Sequence, residues 1–130
     1  MKLKNGSDIA AWLRARTAFE KGLGESQAPG ASDVVRDGAI QRFEFTLELS
    51  WKTLRRCLRL KGSQVNHPKD VIREAAAEGW LAQPAMWLTV IDLRNETSHV
   101  YDEPTAQRIY DALPEFQTEL ATLVQVIQKL

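Results

Sequence analysis

Apolar residues recur along this chain at helical spacing, and no segment alternates with the two-residue period of a strand. In the longest stretch Ile40, Phe43, Leu47, Trp51, Leu54 and Leu58 are separated by 3, 4, 4, 3 and 4 residues. That rhythm puts all six on one stripe of a helix, close to the seam of an antiparallel bundle. Ser32 reads as its N-cap and Gly62 as the residue beyond its end. Ahead of it, Ile9, Trp12, Leu13, Arg16 and Phe19 mark an amphipathic helix running from a cap at Ser7, with Asp8 in the first turn, through Phe19. Gly22–Ser32, rich in Gly, Ser, Ala and Pro, reads as the connection between the two.

Beyond Gly62, Pro68 introduces a short helix over Asp70–Glu78 that Gly79 stops. Pro84 opens another, with Met86, Leu88, Val90, Ile91 and Leu93 apolar. A last helix begins near Pro104 and carries Ala106, Ile109, Leu113, Phe116, Leu120, Leu123 and Ile127 on one side. Pro114 lies inside that pattern and predicts a kink or a break. The fold class expected is therefore all-α. Its architecture is an antiparallel up-and-down bundle of the four-helix type with an extra short helix, spanning residues 1–130 as one domain.

Composition narrows the function more than the fold. The chain is 44% hydrophobic and 26% charged, an ordinary globular balance, with a formal net charge of zero. A strongly basic nucleic-acid footprint is absent overall, which leaves room for a local patch. The one cysteine, Cys57, excludes an intramolecular disulfide and fits a reducing compartment. Met1–Ser7 is polar, Asp8, Arg14 and Arg16 interrupt the segment after it, and no apolar run approaches the ~20 residues of a membrane span. The expectation is a cytoplasmic protein with no membrane contact.

Candidate chemistry concentrates in the twelve residues from Asp92 to Glu103, directly after an apolar helix face. A continued helix would bring Asp92, Asn95 and His99 onto one face and Arg94 and Tyr101 onto another. Arginine offers phosphate a planar fork of fixed charge, and histidine a proton donor or acceptor near neutral pH. Together they suit phosphodiester cleavage by an RNA 2′-hydroxyl without a metal. The plainer alternative is a polar helix end in which Asn95, Ser98 and His99 serve as caps. On the long helix, Glu44 and Glu48, like Glu48 and Lys52, stand four apart and read as surface pairs; Trp51 reads as packing. A second possibility is that this face, with Glu44, Glu48, Trp51 and Lys52, lines a pocket near Arg94 and His99. His67 stands without a second ligand and Cys57 without a base, so no metal site is expected. Gly6-Ser7-Asp8 is followed by no Asp-x-Asp pair, so this chain lacks nucleotidyl-transfer machinery of its own.

Arg94-Asn95-Glu96-Thr97-Ser98-His99-Val100-Tyr101 resembles the R-x4-H-x-Y motif of HepT-type proteins in the HEPN superfamily. The block from Gln41 to Leu54 is similar to the RFEFTxELxWKTL block of the nucleotidyltransferase substrate-binding protein family, and Pro68–Ala75 resembles its next block. Trp87 ahead of Asp92-Leu93-Arg94-Asn95 fits as well, so the likeness holds in order from about Ala39 to the C-terminus.

The resemblance implies a helical bundle, commonly a homodimer, and a partner in the form of a minimal nucleotidyltransferase. In the toxin–antitoxin branch it implies a metal-independent ribonuclease that the partner silences by moving AMP from ATP onto the motif tyrosine. Carried over by position, Arg94 holds phosphate, His99 handles protons, Asn95 orients the site and Tyr101 accepts AMP. The chain needs no cofactor of its own on this reading, and ATP and Mg²⁺ belong to the partner. The rival expectation is a free-standing dimeric ribonuclease acting on RNA through Arg94 and His99. A third is a scaffold in which the motif merely closes the bundle.

Overall fold

The computed structural model describes residues 1–130. It contains α1 (Ala10–Ser26), α2 (Asp33–Arg59), α3 (Pro68–Ala77), α4 (Pro84–Arg94), a 3-10 turn (Thr97–His99), α5 (Glu103–Asp111) and α6 (Leu113–Gln128). The all-α expectation holds. No helix is long and apolar enough to cross a membrane.

The register of the first two helices is written in three buried or half-buried bonds. Trp12 Nε1 donates to Ser50 Oγ at 2.8 Å, Thr46 Oγ1 to the Ala15 carbonyl at 3.1 Å, and Arg42 Nη1 to the Ala18 carbonyl at 2.9 Å. Positions rise along α1 as they fall along α2, so the pair is antiparallel. Tyr110, just before α6, places its hydroxyl 2.8 Å from Ser26 Oγ at the end of α1, and Gln128 at the end of α6 reaches Met1. That sets α6 antiparallel to α1. Between the helices the ring of Phe116 meets Phe19, Phe43 and Trp87 edge-on, with centroids 5.5, 5.1 and 5.5 Å apart. Such pairs add to the area they bury, and all four rings are fully buried.

The start of α1 departs from the expectation. Ser7 is buried and Ile9 takes the N-cap position, because residues 1–9 fold back on themselves: Leu3 N–H donates to the Ser7 carbonyl and Ile9 N–H to that of Met1. Asp8 supplies the capping oxygen instead, its Oδ1 accepting from Ala10 N–H at 2.9 Å. The helix also continues past Phe19 into the stretch read as a connection. Gly22 and Leu23 are buried, and a Cβ at Gly22 would lie 3.0 Å from Arg42 Cδ. Close packing on α2 therefore outweighs the helix cost of glycine, about 1 kcal/mol.

Other boundaries agree more closely with the sequence. Ser32 occupies the N-cap of α2, although its side chain makes no capping bond. Gly62 and Gly79 lie beyond α2 and α3 with φ of 95° and 78°, conformations that side chains disfavour. The break foreshadowed by Pro114 falls at Ala112, which separates α5 from α6. Asp102 caps α5, accepting from Thr105 N–H at 3.2 Å.

Candidate functional site

α4 ends at Arg94, and this one termination organises the whole motif. Thr97 is buried and its Oγ1 donates to the Arg94 carbonyl at 2.7 Å, satisfying one of the helix's last acceptors. The Glu96 and His99 amides then make tight bonds three residues back, turning the chain through the 3-10 segment. Asp92, Asn95 and His99 consequently do not share a helix face, nor do Arg94 and Tyr101; the continued helix expected from spacing is corrected here.

Arg94 is directed to α2. With Asn95 and Ile91 it lines a cleft of about 220 Å³ closed by Leu47, Glu48 and Trp51 of α2 and by Pro68 at the start of α3. Glu48 is the hub of this cleft. It accepts from Trp51 Nε1 at 3.1 Å, pairs with Lys52 Nζ at 3.2 Å, and faces Arg94 Nη2 at 3.6 Å. Burial pushes the Glu48 carboxyl up, but the bonds from Trp51 and Lys52 and the charge of Arg94 outweigh it and hold the group below the usual carboxylate range. The Arg94 side chain remains 41% exposed, and its Nε–H is buried without a partner. Trp51 both packs and lines: its ring is largely buried, and the Arg55 guanidinium lies 4.8 Å from the ring centroid.

His99 and Tyr101 form a second, outward-facing pair. Tyr101 is 82% exposed, and its hydroxyl lies 3.3 Å from His99 Nδ1 with the rings edge-on. Around them the backbone is pinned on both sides. Glu96 pairs with Arg108 at 2.9 Å, and Glu103 receives both Nη groups of the nearly buried Arg36 on α2, the second at 3.1 Å. The bond with Arg36 holds the Glu103 carboxyl below its ordinary value and raises the guanidinium in turn. Asp102 is likewise lowered, chiefly by its bond from the Thr105 hydroxyl.

The remaining expected residues are dispersed. Asp92 pairs with Lys69 of α3 at 2.6 Å, and Ser98 is exposed on the turn. Glu44 lines a separate hollow with Asp37, Gln41 and Val100, beside the motif but apart from the cleft. Of the α2 residues weighed from the sequence, Trp51 and Lys52 thus reach the cleft directly or through Glu48. Glu48, for which the sequence offered both a surface pair and a pocket lining, is the group that joins α2 to Arg94; its place three before Trp51 and four before Lys52 is the local signal. The Arg36–Glu103 clamp had none, since 67 residues separate its ends. No group of three or more His, Cys, Asp or Glu is placed to hold a metal ion. Cys57 is buried, which pushes its thiol up.

Comparison with known proteins places this arrangement. The profile of the nucleotidyltransferase substrate binding protein like family matches residues 7–129. A probable ribonuclease HepT of Haemophilus influenzae is 33% identical over 102 residues, which span 75% of this chain and 70% of that protein. Among solved structures, a Haemophilus influenzae protein is described as revealing the fold of a substrate binding domain of a nucleotidyltransferase. It superposes with a TM-score of 0.83 at 28% identity, over 93% of this chain and 99% of that one. A Thermus thermophilus protein gives 0.79 at 34% identity, over 88% and 98%. The chain belongs to the nucleotidyltransferase substrate-binding-protein-like family.

Proposed function

We propose that this chain is the non-catalytic, toxin-side subunit of a two-component system, bound by a separate minimal nucleotidyltransferase that modifies Tyr101. The observation that carries the reading is the pairing of the exposed Tyr101 hydroxyl with His99 Nδ1 at 3.3 Å. An acceptor for another enzyme must reach into that enzyme's site, and Tyr101 stands on a pinned turn with its ring exposed. In the tautomer protonated at Nε2, His99 accepts the phenol proton as the oxygen attacks the α-phosphorus of ATP. Pyrophosphate leaves, and AMP remains on the tyrosine. ATP and Mg²⁺ belong to the transferase. The family membership and the descriptions of its relatives support a transferase partner. The lone thiol of Cys57, buried and unpaired, fits a cytoplasmic setting for the pair.

A second reading has its own support: the relative described as a probable ribonuclease, and an Arg94 guanidinium that lines a cleft. Here the chain is a metal-independent endoribonuclease in which Arg94 holds a phosphate and His99 moves a proton. Arg94 makes its ion pair with Glu48 while His99 makes its bond with Tyr101, so a homodimer that juxtaposes two motifs supplies the natural composite site. Modification of Tyr101 would then silence His99 by occupying its bonding partner.

The two readings separate in one experiment. The chain is incubated with its transferase and ATP labelled at the α-phosphate, and RNA cleavage is followed before and after. Label on wild type but not on Tyr101→Phe supports the acceptor role. Cleavage lost in His99→Ala and after labelling supports the ribonuclease; unlabelled protein in a stable complex contradicts the first proposal.

A further inference from the structure

The C-terminal half of α2 carries a row of cations that neither reading uses. Arg55, Arg56 and Arg59, with Lys52, Leu49 and Thr53, line a hollow of about 330 Å³. Arg16, Arg36, Arg73, Arg94 and Arg108 each pair with a carboxylate. The three arginines of the row do not: they are held by neutral oxygens. Arg55 Nη1 and Arg59 Nη2 both donate to Asn66 Oδ1, at 3.2 and 3.0 Å, and Arg56 Nη2 donates to the Asp8 carbonyl at 3.1 Å. The Asp8 carboxylate itself is turned to the Ala10 amide and the Met1 ammonium. Glu48, the acid nearest along the helix, is already shared by Lys52 and Arg94.

Three guanidiniums thus carry charge that no carboxylate compensates, in a chain whose formal net charge is zero. A planar fork of fixed charge suits phosphate oxygens. Arg55 and Arg59 stand one turn apart on α2 and their guanidiniums converge on the same Asn66 oxygen, while Arg56 is held at the Asp8 carbonyl. The row is also continuous with the cleft: Arg55 lies over Trp51, which lines the cleft, and Lys52 in the row pairs with Glu48 on its wall.

We infer that Arg55, Arg56 and Arg59 form a binding track for the phosphate backbone of single-stranded RNA that leads to the Arg94 cleft. The track deepens the ribonuclease reading by giving its substrate a second point of attachment, and strand binding is measurable whether or not cleavage occurs.

The test uses a fluorescent 2′-O-methyl RNA strand, which has no 2′-hydroxyl to attack, titrated with the full chain at several salt concentrations. The expected result is salt-dependent binding that Arg55→Ala/Arg59→Ala weakens on the order of tenfold or more. The slope of log affinity against log salt should fall by about 1.4, near 0.7 for each lost phosphate contact. Arg55→Lys/Arg59→Lys, which keeps the charge and loses only the fork, should retain most of the slope. Arg14→Ala/Lys21→Ala on α1 removes the same charge elsewhere and should change little. Unaltered binding in the alanine pair overturns the assignment, as does an equal loss in the α1 control. Tight binding of ATP in place of the strand, abolished by the same alanine pair, would also overturn it in favour of a nucleotide site. Loss of cleavage in His99→Ala with strand binding intact would separate the fate of the track from that of the ribonuclease reading.

Discussion

Arg94 at the end of α4 and Glu48 in the middle of α2 face each other across the cleft, Nη2 3.6 Å from Oε2. The pair joins the motif turn to the longest helix without drawing on the motif's own histidine. It splits the expected site in two: a guanidinium in a cleft, and an imidazole–phenol pair on the surface.

Glu48 gives this relationship a pH signature. Its folded carboxyl lies below the ordinary value of 4.5, so its contribution to stability is complete above that value and is lost as pH falls through the lower folded one. Glu48→Gln should therefore unfold in urea with a smaller loss of stability between pH 7 and acid than wild type. The group is a third exposed, so solvent screening limits the difference to about 1 kcal/mol or less. An identical acid dependence in the two proteins would contradict the pairing.

The clamp of Glu103 on Arg36 should hold the Tyr101 turn in place. Glu103→Gln is expected to speed amide hydrogen exchange across Ser98–Asp102 at neutral pH while the amides of α2 and α6 stay protected. Acid should act in the same direction on wild type, because the Glu103 carboxyl is depressed and the clamp weakens as pH falls through its folded value. Exchange unchanged by the substitution would show that the turn is ordered by Thr97 and α5 alone.

The α1–α2 register rests on a buried polar pair. Ser50 Oγ accepts from Trp12 Nε1 at 2.8 Å and donates to the Thr46 carbonyl at 2.6 Å. Ser50→Ala leaves the indole N–H unsatisfied in a dry core, which should cost about 1–3 kcal/mol in chemical denaturation. A loss below about 0.5 kcal/mol would mean that the indole finds another acceptor.

The helices were legible because their apolar stripes are periodic, and the α2 stripe from Ile40 to Leu58 is buried as spacing required. Ends were legible where glycine or proline enforces them, at Gly62, Gly79 and Pro114. They were misread where tertiary packing decides: Gly22 stays helical because it abuts Arg42, and Ser7 is drawn into the folded-back N-terminus. The same distinction governs the site. Arg94, His99 and Tyr101 could be named from their motif, but their relation depended on where α4 stops. That stop is set by the bond from Thr97 to the Arg94 carbonyl, which no periodicity reveals. Glu48 carried a local signal in its spacing to Trp51 and Lys52, whereas Arg36 and Glu103 meet only through the fold.

The central claim is that Tyr101 accepts a nucleotidyl group with His99 beside it. Its most direct test is the intact mass of the chain after incubation with its nucleotidyltransferase, ATP and Mg²⁺. Wild type should gain one or more AMP units, Tyr101→Phe none, and His99→Ala should gain them more slowly. An equal gain on Tyr101→Phe, or no gain on wild type held in a stable complex, would contradict the account and leave the acceptor elsewhere.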